Sequence, residues 1–411
     1  YFSELLGEPN LLCADMGGTS FDVSLVTKGR YSHSLVTRIS GHNIFAPMLD
    51  VHTIGAGGGS IAWIDSGRRL KVGPQSAGAD PGPVCYLKGG YDPTITDADL
   101  VLGRINGEYF LGGEVVLDKG AAEKAIEEVI AKPLGFTIVD AAWAMTEIAH
   151  ANMSDAVRVL TIQKGYDPRD YALIAFGGAG PTHAAFIARE LGINRVIVTP
   201  MAAAQSAFGI ATSDILHSFS VTDITDLGAL ERINRDYEEL ESKGYALAKA
   251  EDIPTDGIQV TRYADMRYRG QSHEVTVPVP LKVLEAKDTS DLMDLFEKIY
   301  EEIYGKGTTF REAGIEAVSF RVDLIAKTAK PSLKKAASPL GGSSQAFKGS
   351  RKVFFERGKS ISTEIYDGER LEVGSGIMGP AIIEYRGTTV VVLPGQNAQV
   401  DSYLNVIINL S

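Results

Sequence analysis

Early in the chain, apolar and polar positions alternate with a period of two. Leu11 and Leu12 lead in, and after a Gly-Gly-Thr-Ser segment Phe21, Val23 and Leu25 alternate with Asp22 and Ser24. This predicts strand, tight loop, strand. Lys28-Gly29 offers a turn into a third strand over 31–39. Strand patterns at 51–54 and 61–64 bracket a glycine run at 55–59. The period then lengthens. Residues 119–132 read as a helix. A longer helix starts near Asp140 as its N-cap and runs to about 163, with Met145, Ile148, Ala149, Asn152, Ala156, Val159 and Leu160 as its inward stripe. Residues 171–176 read as a strand, Pro181 opens a helix that Gly192 closes, and 195–198 is the next strand. Small residues over 202–211 give a further helix. Beyond about 216 come a charged amphipathic helix (230–252), strands within 259–279, a helix (292–304) and a strand (317–326). A Lys/Ala/Ser/Gly-rich linker follows at 329–350, then short β segments with turns at Asp367-Gly368 and Pro394-Gly395.

Composition narrows the class. The 411 residues allow two to three domains at roughly 100–200 residues each. With 40 Lys and Arg against 52 Asp and Glu the net charge is −12, and no basic tract stands out, which argues against a nucleic-acid partner. No apolar run reaches the ~18 residues of a membrane span. Two cysteines, Cys13 and Cys85, suit a reducing cytoplasm. The chain opens Tyr1-Phe2-Ser3-Glu4, without initiator Met or signal pattern, so a fragment or a processed product is expected.

Candidate chemistry sits on the glycine loops. Gly17, Gly18, Thr19 and Ser20 carry no bulky side chain. A Gly-Gly loop lets backbone N–H groups approach a phosphate, and the two hydroxyls add donors. Asp15 and Asp22 flank the loop, where a carboxylate holds Mg²⁺ or orients an attacking water. An ordinary Gly-rich hairpin fits the same residues. A P-loop or Rossmann turn runs from strand into helix. This loop runs from strand into strand, as in the phosphate hairpin of actin-like ATPases. Gly57 and Gly58, in the dense run, permit unusual backbone angles or close ligand approach. Asp50 and His52 share a strand face, either as half a metal site with Asp15 or as a polar face. Residues 71–97 are Gly/Pro-rich and read as a site wall. Within them Cys85 is either a nucleophile or a small buried side chain.

Gly177-Gly178-Ala179-Gly180 imitates a dinucleotide fingerprint, but His183 stands where Gly or Ala is required and no acidic residue follows ~20 positions on. In the actin-like arrangement a Gly-Gly-x-Gly-Pro turn holds adenosine. His183 either contacts that ligand or caps the turn. There is no Gly-x-Ser-x-Gly, no His-Glu-x-x-His and no complete P-loop.

Taken in order, the stretches 15–22, 50–60, 73–86, 176–184, 268–274 and 379–384 make the chain resemble the hydantoinase/oxoprolinase A family. That family holds ATP-dependent hydantoinases, 5-oxoprolinases and related subunits of acetone and acetophenone carboxylases. The resemblance implies an α/β fold: half of an actin-like (ribonuclease H-like) ATPase over 1–215, an α+β accessory region over 216–328, the linker, and a β-rich C-terminal domain over 351–411. It implies ATP with Mg²⁺ or another divalent ion, and a small cyclic amide whose oxygen is phosphorylated before ring opening. The alternatives are a ketone carboxylase subunit and a non-catalytic remnant of such a complex. It also implies a B-type partner subunit in a cytoplasmic hetero-oligomer, and a missing upstream domain with its own Asp-Gly-Gly-Thr loop. One departure is Phe21-Asp22 where the family has Thr-Asp, which removes a hydroxyl from the phosphate side.

Overall fold

The alternating stretch folds as an antiparallel hairpin. Strands β1 (Leu11–Met16) and β2 (Phe21–Thr27) pair with Asp15 opposite Asp22, and Phe21, Val23 and Leu25 point into the core. The structure is a computed structural model describing residues 1–34, 37–39, 42–44, 48–336 and 342–410. The third strand expected over 31–39 lies partly outside the described residues. The strands that pair with β2 on its far side are β3 (Arg30–Tyr31) and β4 (Val51–Ile54). On the other side of β1, β5 (Ala172–Phe176) runs parallel to it, and β6 (Arg195–Val198) runs parallel to β5. Ala172–Phe176 is a continuous apolar run, and Arg195–Val198 is apolar and buried after its exposed first residue, as strands covered on both faces require.

The chain's end completes this sheet. β7 (Gly376–Met378), β8 (Asn397–Val400) and β9 (Val406–Asn409) extend it in the order β7-β8-β9-β6-β5-β1-β2-β3, with β4 also on β2, nine strands among the described residues. Residues 351–411, expected as a domain of their own, therefore share a core with the first strands. Val406 and Ile408 are fully buried beside Val196 and Val198. The remaining C-terminal strands form a four-stranded sheet of Phe347–Glu356, Lys359–Asp367, Ala381–Glu384 and Thr389–Val392. Glu384, 1% exposed, accepts from Lys348 and Arg351, and Arg351 donates on to the carbonyls of Gly103 and Arg104.

Three helices pack in series beside the nine-stranded sheet. α1 (Ile95–Val101) is capped by Thr94 in a reciprocal box with Asp97. α2 (Ile138–Leu160) is capped by Thr137, which accepts from the Asp140 N–H, so Asp140 is the third helical residue and not the cap. Its buried face carries Met145, Ala149, Met153, Ala156 and Leu160 together with Thr146, His150 and Ser154. Asn152 is exposed, and Ile148 and Val159 are only partly covered. α3 (Gly180–Leu191) joins β5 to β6, and Gly192 ends it in the left-handed conformation.

By contact, residues 1–211 and 332–411 form one unit and 212–331 another. The second unit is a four-stranded antiparallel sheet in the order Ile215–Asp226, Ile315–Ala326, Gln259–Tyr268, Val275–Val279. Helices Leu230–Ala250 and Ala286–Tyr304 cover it over a core that includes Tyr237, Phe296 and Phe320. The strand at 215–226 was not predicted, because its inward positions stay half exposed and its pattern is mostly polar.

Candidate functional site

The β1–β2 loop is held open by its neighbours. Gly58 N–H donates to Gly17 O (3.0 Å) and Gly59 N–H to Gly18 O (2.6 Å). A side chain at Gly57 would stand 2.4 Å from the Thr19 nitrogen, and one at Gly58 would stand 2.8 Å from Thr96 Oγ1. None of Gly57, Gly58 and Gly59 has a positive φ. The run is glycine because two backbones touch there, not because the chain turns unusually. Around Gly17 and Gly18 nothing would meet a Cβ within 4 Å.

The β5–α3 turn closes on the same place. Gly177 has φ +82°, and a Cβ there would lie 2.3 Å from Met16 O and 2.4 Å from Asp15 Oδ1. Its N–H donates to Ala202 O, while Ala179 N–H donates to Met16 O (both 2.9 Å). Gly178 and Gly180 have ordinary backbone angles and room for a methyl group.

Between the two loops lies a cavity of about 150 Å³ bordered by Gly17, Gly18, Gly58, Gly178, Ala179 and Thr182. Its other wall comes from Thr96, at the end of the 71–97 stretch, and from residues the sequence reading did not single out: Asp99 of α1, Asn106, Tyr109 and Phe110 after it, and Arg386 to Thr389 near the C-terminus. Thr388 donates to Gly178 O (3.0 Å) and Thr182 to Thr389 O (2.9 Å), which fastens the C-terminal wall to the turn. From the 71–97 stretch, Tyr86 also lines the cavity.

The other expected residues stand around this cavity and do not line it. Asp15 accepts from Ser206 Oγ (2.5 Å); Asp22 accepts from Ser20 Oγ (2.7 Å) and Thr53 Oγ1 (2.6 Å). The two carboxylates, on paired positions of adjacent strands, are already hydroxyl acceptors. Thr19 is exposed beside them. Asp50 falls just before β4 and is paired with Lys164. Asp15, Asp50 and His52 are not brought together, and no group of three or more His, Cys, Asp or Glu among the described residues is placed to hold a metal ion. A protein-built divalent site does not fit this set.

His183 is fully buried rather than facing the cavity. Its Nδ1 meets His150 Nε2 at 3.0 Å and its Nε2 lies 3.1 Å from Asp99 Oδ2. Asp99 is the carboxylate that reaches the cavity wall. Burial pushes its pKa up, but His183 and Arg104 outweigh that and hold it below the usual range. Burial also pushes the Cys85 thiol far up, helped by Asp97, so that side chain stays protonated and packed.

A hydantoinase/oxoprolinase match covers residues 1–219, and a match to that family's C-terminal domain covers 221–409. The chain belongs to the hydantoinase/oxoprolinase family. Within it, the chain is 36% identical to the acetophenone carboxylase gamma subunit of Aromatoleum aromaticum, over 98% of this chain and 57% of that one. It is 35% identical to the caprolactamase subunit alpha of Pseudomonas jessenii, over 96% and 57%. The crystal structure of that ATP-dependent caprolactamase superposes with a TM-score of 0.84 at 34% identity, covering 99% of this chain and 60% of that one. A nucleotide-free acetone carboxylase structure, from work on ATP-dependent acetone carboxylation, gives 0.85 at 30% identity, covering 100% and 59%. The chain thus spans a little over half the length of these hydantoinase/oxoprolinase relatives. No helix among the described residues is long and apolar enough to cross a membrane.

Proposed function

We propose that residues 1–211 with 332–411 hold ATP in an actin-like half-site, with the phosphates at Gly17–Gly18 and the nucleoside against Gly178–Ala179. The carrying observation is the open space over Gly17 and Gly18, where the cavity meets the β5–α3 turn. ATP supplies a phosphoryl group that turns a carbonyl oxygen into a phosphate leaving group. The protein's task is then positioning and charge stabilisation. Gly17, Gly18 and Gly58 let the ligand lie against backbone. Thr19 and Ser20 add hydroxyls at its phosphate end, and Asp15 and Asp22 fix the hairpin that presents them. Tyr109 and Phe110 supply an apolar wall that excludes water. A divalent ion is expected to arrive on the phosphates, where one or two carboxylates suffice. The other half of the cleft, and a partner subunit of the B type, are assigned to parts outside this chain.

The reaction we favour is ATP-driven opening of a small cyclic amide, supported by the likeness to an ATP-dependent caprolactamase. A second reading, ketone carboxylation, is supported by equal likeness to acetophenone and acetone carboxylase subunits. The two separate in one assay on the complete enzyme: phosphate release with hydantoin, 5-oxoproline or caprolactam, against acetone or acetophenone with bicarbonate. Release with only the ketones would overturn the cyclic-amide reading. No ATP turnover with either set would leave a non-catalytic role.

A further inference from the structure

Behind the cavity wall runs a line of titratable side chains that the glycine loops do not use. Asp99 takes one hydrogen bond on Oδ1 from Arg104 Nη1 (3.2 Å), and Arg104 is wholly buried, stacked on Phe186 with 4.4 Å to the ring centroid. On the other side His183 Nε2 stands 3.1 Å from Asp99 Oδ2. That nitrogen has no other hydrogen-bond partner among the described residues. His183 Nδ1 and His150 Nε2 are 3.0 Å apart. His150 Nδ1 lies 3.7 Å from Glu147 Oε1, and Glu147 is 50% exposed at the edge of an open groove beside Trp143 and Phe136. Phe186 stacks on His150 with ring planes 16° apart, which fixes the imidazole's orientation.

The order of groups is what matters. Each imidazole presents one nitrogen toward the cavity and the other toward solvent. Burial holds His150 well below its usual pKa, helped by His183 and Arg104, so it is neutral and has one donor and one acceptor nitrogen. The charged groups facing the pair are Asp99 and Arg104 from α1 and the loop after it, Glu147 from α2 and Arg189 from α3. Packing alone would be served by a phenyl ring at position 150. The imidazole adds a second nitrogen aimed at a half-exposed carboxylate.

We propose that Asp99, His183, His150 and Glu147 form a proton conduit between the cavity and solvent. It rests on the reading that ATP-driven chemistry occurs in this cavity, since water attack and amide opening both move protons. In the outward direction Asp99 accepts a proton from the ligand side and passes it to His183 Nε2. His183 releases its Nδ1 proton to His150 Nε2, and His150 releases its Nδ1 proton to the Glu147 carboxylate when that half-exposed side chain closes the 3.7 Å gap, and Glu147 gives it to water. Each ring forms one N–H bond and breaks another, so both end neutral, in the opposite tautomers. No net charge is left in an interior where an unpaired charge is costly. The same steps reversed supply a proton to the cavity.

The test uses the complete enzyme with the variants His150→Phe, which keeps the stack on Phe186, and Glu147→Gln, which cuts the chain at its exposed end. Both should keep the ATP-dependent rise in melting temperature. Turnover should fall roughly a hundredfold or more, the usual range for lost proton transfer. The solvent deuterium isotope effect on turnover should increase. Wild-type turnover with an unchanged isotope effect in both variants overturns the conduit. If His150→Phe does not fold, Glu147→Gln decides alone. A wild-type enzyme with neither an ATP-dependent melting shift nor ATP turnover overturns the nucleotide reading and the conduit with it.

Discussion

At Gly177 and Gly178, adjacent glycines have unrelated reasons to be glycine. Gly177 has a positive φ and touches Met16 and Asp15, so Gly177→Ala should cost at least ~2 kcal/mol of unfolding free energy in denaturant titrations. A side chain at Gly178 meets ordinary space in the protein itself but enters the cavity. Gly178→Leu should therefore melt near the wild-type temperature yet lose the rise that ATP produces. If the rise survives, the nucleoside does not lie against this turn. The sequence displayed both glycines but not which was which, because φ and the approach of Met16 depend on how β1 and β5 pair. His183 was visible as the residue that breaks a dinucleotide fingerprint. Its direction was not, since a helix's first turn can point inward or outward. Arg386 to Thr389 carried no signal at all: nothing local ties them to a turn some two hundred positions earlier.

For whole elements, periodicity located α2 and α3 and found part of the buried face of α2, namely Met145, Ala149, Ala156 and Leu160. The stripe left out Thr146, His150 and Ser154, which are buried with their polar atoms paired: Thr146 to Trp143 O, His150 to His183 and Ser154 to Glu190. Reading by helical spacing also took in Asn152, which is exposed, and Ile148, which is only partly covered. Strand Ala381–Glu384 gives a similar case, a carboxylate at the end of an apolar run. Burial pushes the Glu384 pKa up, but Lys348 and Arg351 more than offset this and hold it below the ordinary 4.5. A depressed carboxylate stabilises the fold above its unfolded pKa, and that contribution is lost as pH falls through the folded value. Glu384→Gln should cost about 3 kcal/mol at pH 7, at the low end for a buried ion pair because both cations keep some solvent. The gap between variant and wild type should close as the titration is repeated below pH 4.5. A constant gap at all pH values would show that the ionised pair contributes nothing.

The whole molecule is organised by a return. The chain leaves its first unit at residue 211 and re-enters at 332 to add β7, β8 and β9. Short β segments at the C-terminus were legible, but their destination was not, because strand pairing across such a distance leaves no local mark. Residues 212–331 have their own sheet, helices and core, so this fragment expressed alone should give a single cooperative melt. Residues 1–211 alone should not, since β6 would lose the strand that covers its edge. A cooperative melt from the latter would show that β7 to β9 are dispensable. The return also sets a schedule for the ribosome. Val196 and Val198 emerge long before Val406 and Ile408, their cross-strand partners. At ~5–20 residues per second, the edge of β6 stays bare for roughly 10–40 s of translation. An apolar, unpaired strand edge recruits other chains, so the nascent protein needs chaperone cover during that interval, and slow codons between 212 and 331 would lengthen the exposure.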